Sequence, residues 1–178
     1  RNDEKVNKNL NYALGGLSKT MGESMLIFAP NANSWRRFVL GSYAPTKPNW
    51  GIDNRSVAFR IPSSNKNNRR IEHRDSGVDA NPYLVALTII SAIELGIKNK
   101  ISPDKQTTGN AYLKKNNQKY KIPSDWNSSI KLSKKSSFLK QTLGPELHKA
   151  FIAIKEMEYH KFASTISELD IDLYLDAI

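Results

Sequence analysis

Arg70-Ile71-Glu72-His73-Arg74 sets one carboxylate between two arginines at i−2 and i+2. In an extended chain successive side chains alternate, so Arg70, Glu72 and Arg74 share a face. Two flanking guanidinium groups hold a carboxylate ionised. In that state it can ligate a hard cation such as Mg²⁺, while the arginines hold the phosphate or carboxylate oxygens of a ligand. The same spacing also builds a surface ion-pair ladder of small energetic value, and spacing alone does not separate the two readings. Arg60 favours the site. It lies beside Ala58 on one face of a second extended run, a face that antiparallel pairing would share with Glu72.

The distribution of charge points to the same region. The 178 residues carry 27 Lys and Arg against 17 Asp and Glu, and seven of the eight arginines fall between Arg36 and Arg74. Beyond Arg74 there are fourteen lysines and no arginine, spread through polar sequence as a solubility feature. Arginine's planar fork is favoured where carboxylate or phosphate must be gripped bidentately. Between Asn31 and Arg74 the acids are only Asp53 and Glu72, against nine Lys and Arg. Such a field suits a small polyanion. A nucleic-acid surface would call for aromatic platforms alternating with cations on a strand, whereas Trp35, Phe38, Tyr43 and Trp50 lie in turn-rich sequence, so no nucleic-acid partner is expected.

Several classes are set aside by composition. There is no cysteine, hence no disulfide framework, thiolate zinc site or thiol nucleophile. The apolar stretch from Pro82 to Ile97 is too short and too interrupted for a membrane span. The first residues show no signal-peptide pattern, so the expectation is a cytoplasmic protein with no membrane partner. Gly16-Leu17-Ser18-Lys19-Thr20 ends like a phosphate-binding loop but has serine where that motif needs glycine, and reads as plain helix. His73, His148 and His160 have no metal-ligand spacing, and His148 and His160 are expected on a solvated helix face. The two glycosylation-type sequons, at Asn54 and Asn127, carry no meaning without secretion.

The elements that must position the arginine block can be read from periodicity. A helix is expected over 7–22, then a short buried strand over 24–29 stopped by Pro30, and a loop over 31–51. Strands are expected over 56–61 and 69–74, paired antiparallel. Asn81 followed by Pro82 opens a helix to about Ile97, apolar nearly all round and therefore buried. Residues 98–137 read as a long irregular connection with one short element. An amphipathic helix follows over 145–167, with Leu147, Phe151, Ile154, Glu158 and Phe162 on one side. The class is α+β, with antiparallel strands packed against helices.

Taken together, Asn33-Ser34-Trp35-Arg36-Arg37, Gly41-Ser42-Tyr43-Ala44-Pro45, Asn54-Arg55-Ser56, Arg60-Ile61-Pro62, Arg70-Ile71-Glu72-His73-Arg74 and Asp79-Ala80-Asn81-Pro82-Tyr83-Leu84 resemble the glutamine synthetase family, and within it the γ-glutamylpolyamine (γ-glutamylputrescine) synthetases. The likeness covers core motifs over 15–109 and more loosely a helical C-terminal region over 110–178. It implies the C-terminal part of a glutamine synthetase-like catalytic domain. It also implies ATP-dependent ligation of glutamate to an amine through γ-glutamyl phosphate, with Mg²⁺ or Mn²⁺, in a homo-oligomer when full length. By the same likeness Arg37 and Arg74 hold glutamate. Arg55 and Arg60 act in catalysis on the nucleotide phosphates and the transferred phosphoryl group, Glu72 holds a metal ion, and Arg70 and Lys66 lie near the nucleotide.

Two departures from the family pattern matter. Tyr43 stands where ammonia-using relatives carry a glutamate. A phenol cannot hold ammonium by charge, yet it packs against the methylenes of an alkyl amine, so putrescine or another polyamine is the expected acceptor. Ammonia, as in a true glutamine synthetase, is the alternative. The family's N-terminal β domain and remaining metal ligands have no counterpart in these residues, so this stretch alone is expected to be inactive. A noncatalytic role in assembly or binding is the other reading.

Overall fold

The computed structural model describes residues 7–39, 41–42, 44–63, 68–114 and 118–175. Helix α1 (Lys8–Phe28) begins where the Asn7 side chain accepts the Leu10 amide at 2.8 Å, and it runs through Gly15, Gly16 and Gly22 without a break. The strand expected over 24–29 is therefore the last part of this helix. Met25, Leu26, Ile27 and Phe28 are buried on every side, and a run with no polar face has no period by which to tell a buried helix from a buried strand. Pro30 does set the end, because the residue before a proline is pushed out of the helical region, and Ala29 has φ −138° and ψ 74°.

Gly22 was expected to end the helix. It is needed for a close approach instead: a Cβ there would lie 2.3 Å from the Lys121 carbonyl oxygen. The contact between α1 and α3 (Pro82–Lys98) is of the same kind, with the backbones meeting at Gly16 and Gly96. Asn81 caps α3 by accepting the Tyr83 and Leu84 amides, as its sequence foretells. The helix is not buried all round, however. Only Thr88, Ala92 and Gly96, at i, i+4 and i+8, are sealed, while Tyr83, Leu87, Ile90 and Ile97 are exposed.

The stretch read as loop over 31–51 holds two elements, the short helix α2 (Ala32–Trp35) and strand β1 (Trp50–Ile52). Strand β1 runs parallel to β2 (Phe59–Ile61), and β2 pairs antiparallel with β3 (Glu72–His73). The sheet is thus mixed, in the order β1-β2-β3, where only antiparallel pairing was expected. Two- and three-residue strands flanked by turns leave too few positions for alternation to show in sequence. Trp50, Phe59 and Ile61 join Leu14, Leu17, Met21, Met25 and Phe28 of α1 in one core, so the small sheet is fixed to the longest helix.

The connection over 98–137 contains a 3₁₀ turn (Ala111–Leu113) and helix α4 (Trp126–Lys134), capped by Asp125, which accepts the Ser128 amide at 2.8 Å. Helices α5 (Ser137–Leu143), α6 (Pro145–Ser164) and α7 (Glu168–Tyr174) complete the chain. The face α6 buries is His148, Ile152 and Lys155, one position removed from the expected stripe, and Leu147, Ile154 and Phe162 are largely exposed. His148 is consequently buried, its Nε2 3.0 Å from the Ser133 carbonyl oxygen, while His160 is exposed as expected. The apolar and polar faces of α6 are too evenly mixed for sequence to choose between adjacent stripes. Among the described residues no helix is long and apolar enough to cross a membrane.

Candidate functional site

The β2–β3 register sets Arg60 opposite Glu72. Arg60 Nη1 donates to Glu72 Oε2 at 2.8 Å, and Arg70 Nη2 donates to Oε1 at 3.1 Å, so each carboxylate oxygen has its own guanidinium. Burial acts to raise the Glu72 carboxyl, but the hydrogen bonds and charges of Arg60 and then Arg70 outweigh it and hold the group below the usual carboxylate range. An ionised carboxylate whose oxygens keep unused lone pairs is a hard donor suited to Mg²⁺ or Mn²⁺. It supplies a single ligand. Among the described residues no cluster of three or more His, Asp or Glu side chains forms a metal site.

Arg60 has a second acidic neighbour that the sequence reading left without a role. Asp53 Oδ1 lies 3.5 Å from Arg60 Nη2 and also accepts the Ser63 amide at 2.7 Å. Asp53 takes φ +49° in the turn after β1, a conformation open to aspartate more readily than to most residues. The signal was present in the sequence: Asp53 and Glu72 are the only acids in the arginine block, and both meet Arg60.

The other expected site residues lie in distinct settings. Arg74 does not join Glu72. Its Nη1 donates to the carbonyl oxygens of Arg55 and Val57, the latter at 3.1 Å, so the side chain braces the turn before β2. Arg55 itself is exposed and lines a cavity of about 560 Å³ together with Asp53, Asn54, Ser56 and residues 106–110. Asn54 fixes that wall by donating to the carbonyl oxygens of Thr107 at 3.2 Å and Gly109 at 2.8 Å. Arg37, just past α2, donates to the backbone oxygen of Asp75 and lies 4.6 Å from the centroid of the Phe38 ring. Burial pulls its guanidinium below the usual value, opposed by the charges of Asp75 and Asp79. Tyr43 and Lys66 lie outside the described residues.

His73, although next to Glu72, faces the other way. Its ring centroid is 4.3 Å from that of Phe28 and 5.3 Å from that of Phe59, and burial pushes its pKa down to about 4, so it is neutral and serves the core. The structure therefore gathers Arg60, Arg70, Glu72 and Asp53 at one point, while Arg37 and Arg74 are held apart from it by contacts to backbone carbonyls.

The family model of the glutamine synthetase catalytic domain matches residues 1–174, and the chain belongs to that family. It is 35% identical over 168 residues to the γ-glutamylputrescine synthetase PuuA of Escherichia coli K12, covering 93% of this chain and 34% of that protein. A glutamine synthetase of Methanosarcina mazei is 31% identical over 179 residues, covering 98% of the chain and 40% of the relative. Among solved structures, GmaS in complex with ADP superposes with a TM-score of 0.83 at 24% identity, over 96% of this chain and 40% of that one. That likeness shows the fold. The chain spans roughly a third to two fifths of the length of the relatives it matches.

Proposed function

We propose that these residues form the C-terminal portion, over 1–178, of the catalytic domain of an ATP-dependent glutamate–amine ligase. In this reading an amide is made through γ-glutamyl phosphate, with putrescine or another polyamine as acceptor. The observation that carries the reading is the Arg60–Glu72–Arg70 cluster, an ionised carboxylate bracketed by two arginines, in a chain of this family. Phosphoryl transfer rests on positioning and charge neutralisation rather than on a covalent nucleophile, and these residue types supply both.

Glu72 would contribute one ligand to a Mg²⁺ or Mn²⁺ ion, whose chemistry is to neutralise phosphate charge. Arg60, held in place by Glu72 and Asp53, would bear on the transferred group. Arg55, exposed on an open cavity, and Arg70, more than half exposed, would reach nucleotide phosphates. Lys66 belongs to the same nucleotide-binding role by family likeness. Arg37 and Arg74 would receive the carboxylates of glutamate. Assembly into a homo-oligomer and a cytoplasmic location are part of the same proposal.

The acceptor reading is supported by Tyr43 and by the likeness to a γ-glutamylputrescine synthetase. Ammonia is the second reading, favoured by the likeness to a glutamine synthetase. The test is phosphate release by the full-length ligase supplied with ATP, glutamate and a panel of amines and ammonium. Turnover dependent on glutamate and highest with a diamine is expected. Turnover with ammonium alone replaces this acceptor by the second, and no glutamate-dependent turnover with any amine ends the proposal.

A further inference from the structure

We propose that Asp75 is a positioning residue for Arg37, retained in a fully buried site at a cost in stability so that the Arg37 guanidinium is aimed at the carboxylate of the bound amino acid. This rests on the glutamate-binding role proposed above for Arg37.

Asp75 is fully buried, yet neither of its carboxyl oxygens has a hydrogen-bond partner among the described residues. Buried polar groups are nearly always paired, because leaving one unpaired forfeits its hydration with no return. One unpaired donor is held against the same residue. Arg37 donates one Nη2 hydrogen to the backbone oxygen of Asp75, while its Nε is buried and without a partner among the described residues. A buried donor and a buried acceptor, on two residues already joined by a hydrogen bond, form a set poised to pair when the guanidinium turns.

The surroundings restrict that turn. Phe38 lies against the guanidinium of Arg37. Asp79, whose charge also acts on Arg37, is fixed by the Ser34 hydroxyl and more loosely by Asn31 Nδ2 at 3.4 Å. The charged groups acting on Asp75 are Arg37 and Arg74, the two arginines assigned to glutamate. Burial outweighs both and pushes the Asp75 carboxyl well above the usual carboxylate range. Whatever its charge, the carboxyl offers Arg37 an acceptor oxygen. An apolar residue would fill this place with no unpaired atoms, which is why a purely structural origin for Asp75 is a poor account.

The experiment compares the full-length ligase with its Asp75→Leu, Asp75→Asn and Arg37→Ala variants in glutamate KM, ATP KM, kcat and Tm. For Asp75→Leu the expected result is a glutamate KM raised fivefold or more, with kcat and ATP KM changed less than twofold and Tm equal or higher. Asparagine, which keeps an acceptor oxygen, should restore glutamate KM to within twofold. A structural residue behaves differently: Asp75→Leu would lower Tm and move both KM values together, and that result overturns the proposal. If Arg37→Ala raises glutamate KM and Asp75→Leu does not, the positioning role fails while the glutamate assignment stands. If Arg37→Ala leaves glutamate KM unchanged, both fail. Should the leucine variant not fold, Asp75→Ala makes the same comparison.

Discussion

Arg60 and Glu72 are joined twice, as opposed residues in the β2–β3 backbone register and as side chains with a 2.8 Å hydrogen bond between Nη1 and Oε2. The backbone pairing fixes where the charge pair sits, so the site inherits the rigidity of a sheet buried against α1. Partly exposed ion pairs contribute little to stability, so the consequence of this one is to hold the two side chains in register.

Replacing Glu72 with Gln should therefore separate function from stability. In the full-length ligase kcat is expected to fall by about 100-fold or more, the scale seen when one preorganised charge is lost from a transition state. The Mg²⁺ or Mn²⁺ concentration for half-maximal rate should rise, and thermal stability should change by less than about 1 kcal/mol. Because the folded Glu72 carboxyl is held below its ordinary range, its charge persists as pH falls and is lost only below that range. The acid limb of the wild-type rate profile should consequently lack a Glu72 ionisation at the ordinary carboxylate value. Unchanged kcat and metal requirement in the Gln variant would remove Glu72 from the site.

The parts of this arrangement that sequence disclosed are those governed by local rules. Strand parity set Glu72 across from Arg60, and the Asn81-Pro82 pair announced α3. What escaped depends on contacts distant in the chain. Gly22 lies inside α1 because the Lys121 backbone approaches it too closely for a side chain, and β1 exists because Trp50 and Ile52 pair with residues after a turn rather than because of any alternation. Arg74 shares a parity with Glu72, yet it turns to carbonyl groups at 55 and 57. Parity gives the side on which a long side chain leaves the strand, and carbonyl acceptors decide where its head goes.

A second prediction concerns acid stability. Burial holds the His73 pKa at about 4, below the roughly 6.5 of an unfolded histidine. Between those values the unfolded chain binds a proton that the folded chain refuses, so stability is full above about pH 6.5 and declines as pH falls towards 4. The slope is about 1.4 kcal/mol per pH unit and the total about 3 kcal/mol. Urea denaturation with a chelator present, from pH 7 to 4, should show this decline, and His73→Phe should remove that part of it. An equal decline in the Phe variant would assign it to other groups.

The α1–α3 contact yields a third prediction. A Cβ on Gly16 would lie 2.0 Å from the Ala92 carbonyl oxygen, and one on Gly96 would lie 2.1 Å from that of Tyr12. Alanine favours a helix over glycine by about 1 kcal/mol, but overpacking a tight contact costs about 1–3 kcal/mol or more, and here the obstacle is backbone. Gly16→Ala should therefore lower the urea midpoint, with a net loss of at least about 1 kcal/mol. A raised midpoint would mean that the helices separate freely and that the close approach is dispensable.

The last prediction tests the acceptor. Tyr43 lies in Gly41-Ser42-Tyr43-Ala44-Pro45, where the family likeness implies a loop closing over the reacting centre. If the phenol sits over the amine site, the full-length ligase should show a higher kcat/KM for putrescine than for ammonia, since each buried methylene contributes about 0.8 kcal/mol. Four methylenes need not all be buried to matter. Even two, at about 1.6 kcal/mol, amount to more than a tenfold preference. Tyr43→Glu supplies a carboxylate able to hold ammonium, and should shift the ratio of kcat/KM values towards ammonia while weakening putrescine binding. The gain for ammonia is limited by any other acceptor groups that differ, so the ratio is the quantity to read. A wild-type enzyme that makes glutamine efficiently from ammonia and accepts no polyamine would defeat the polyamine assignment and leave a glutamine synthetase in its place.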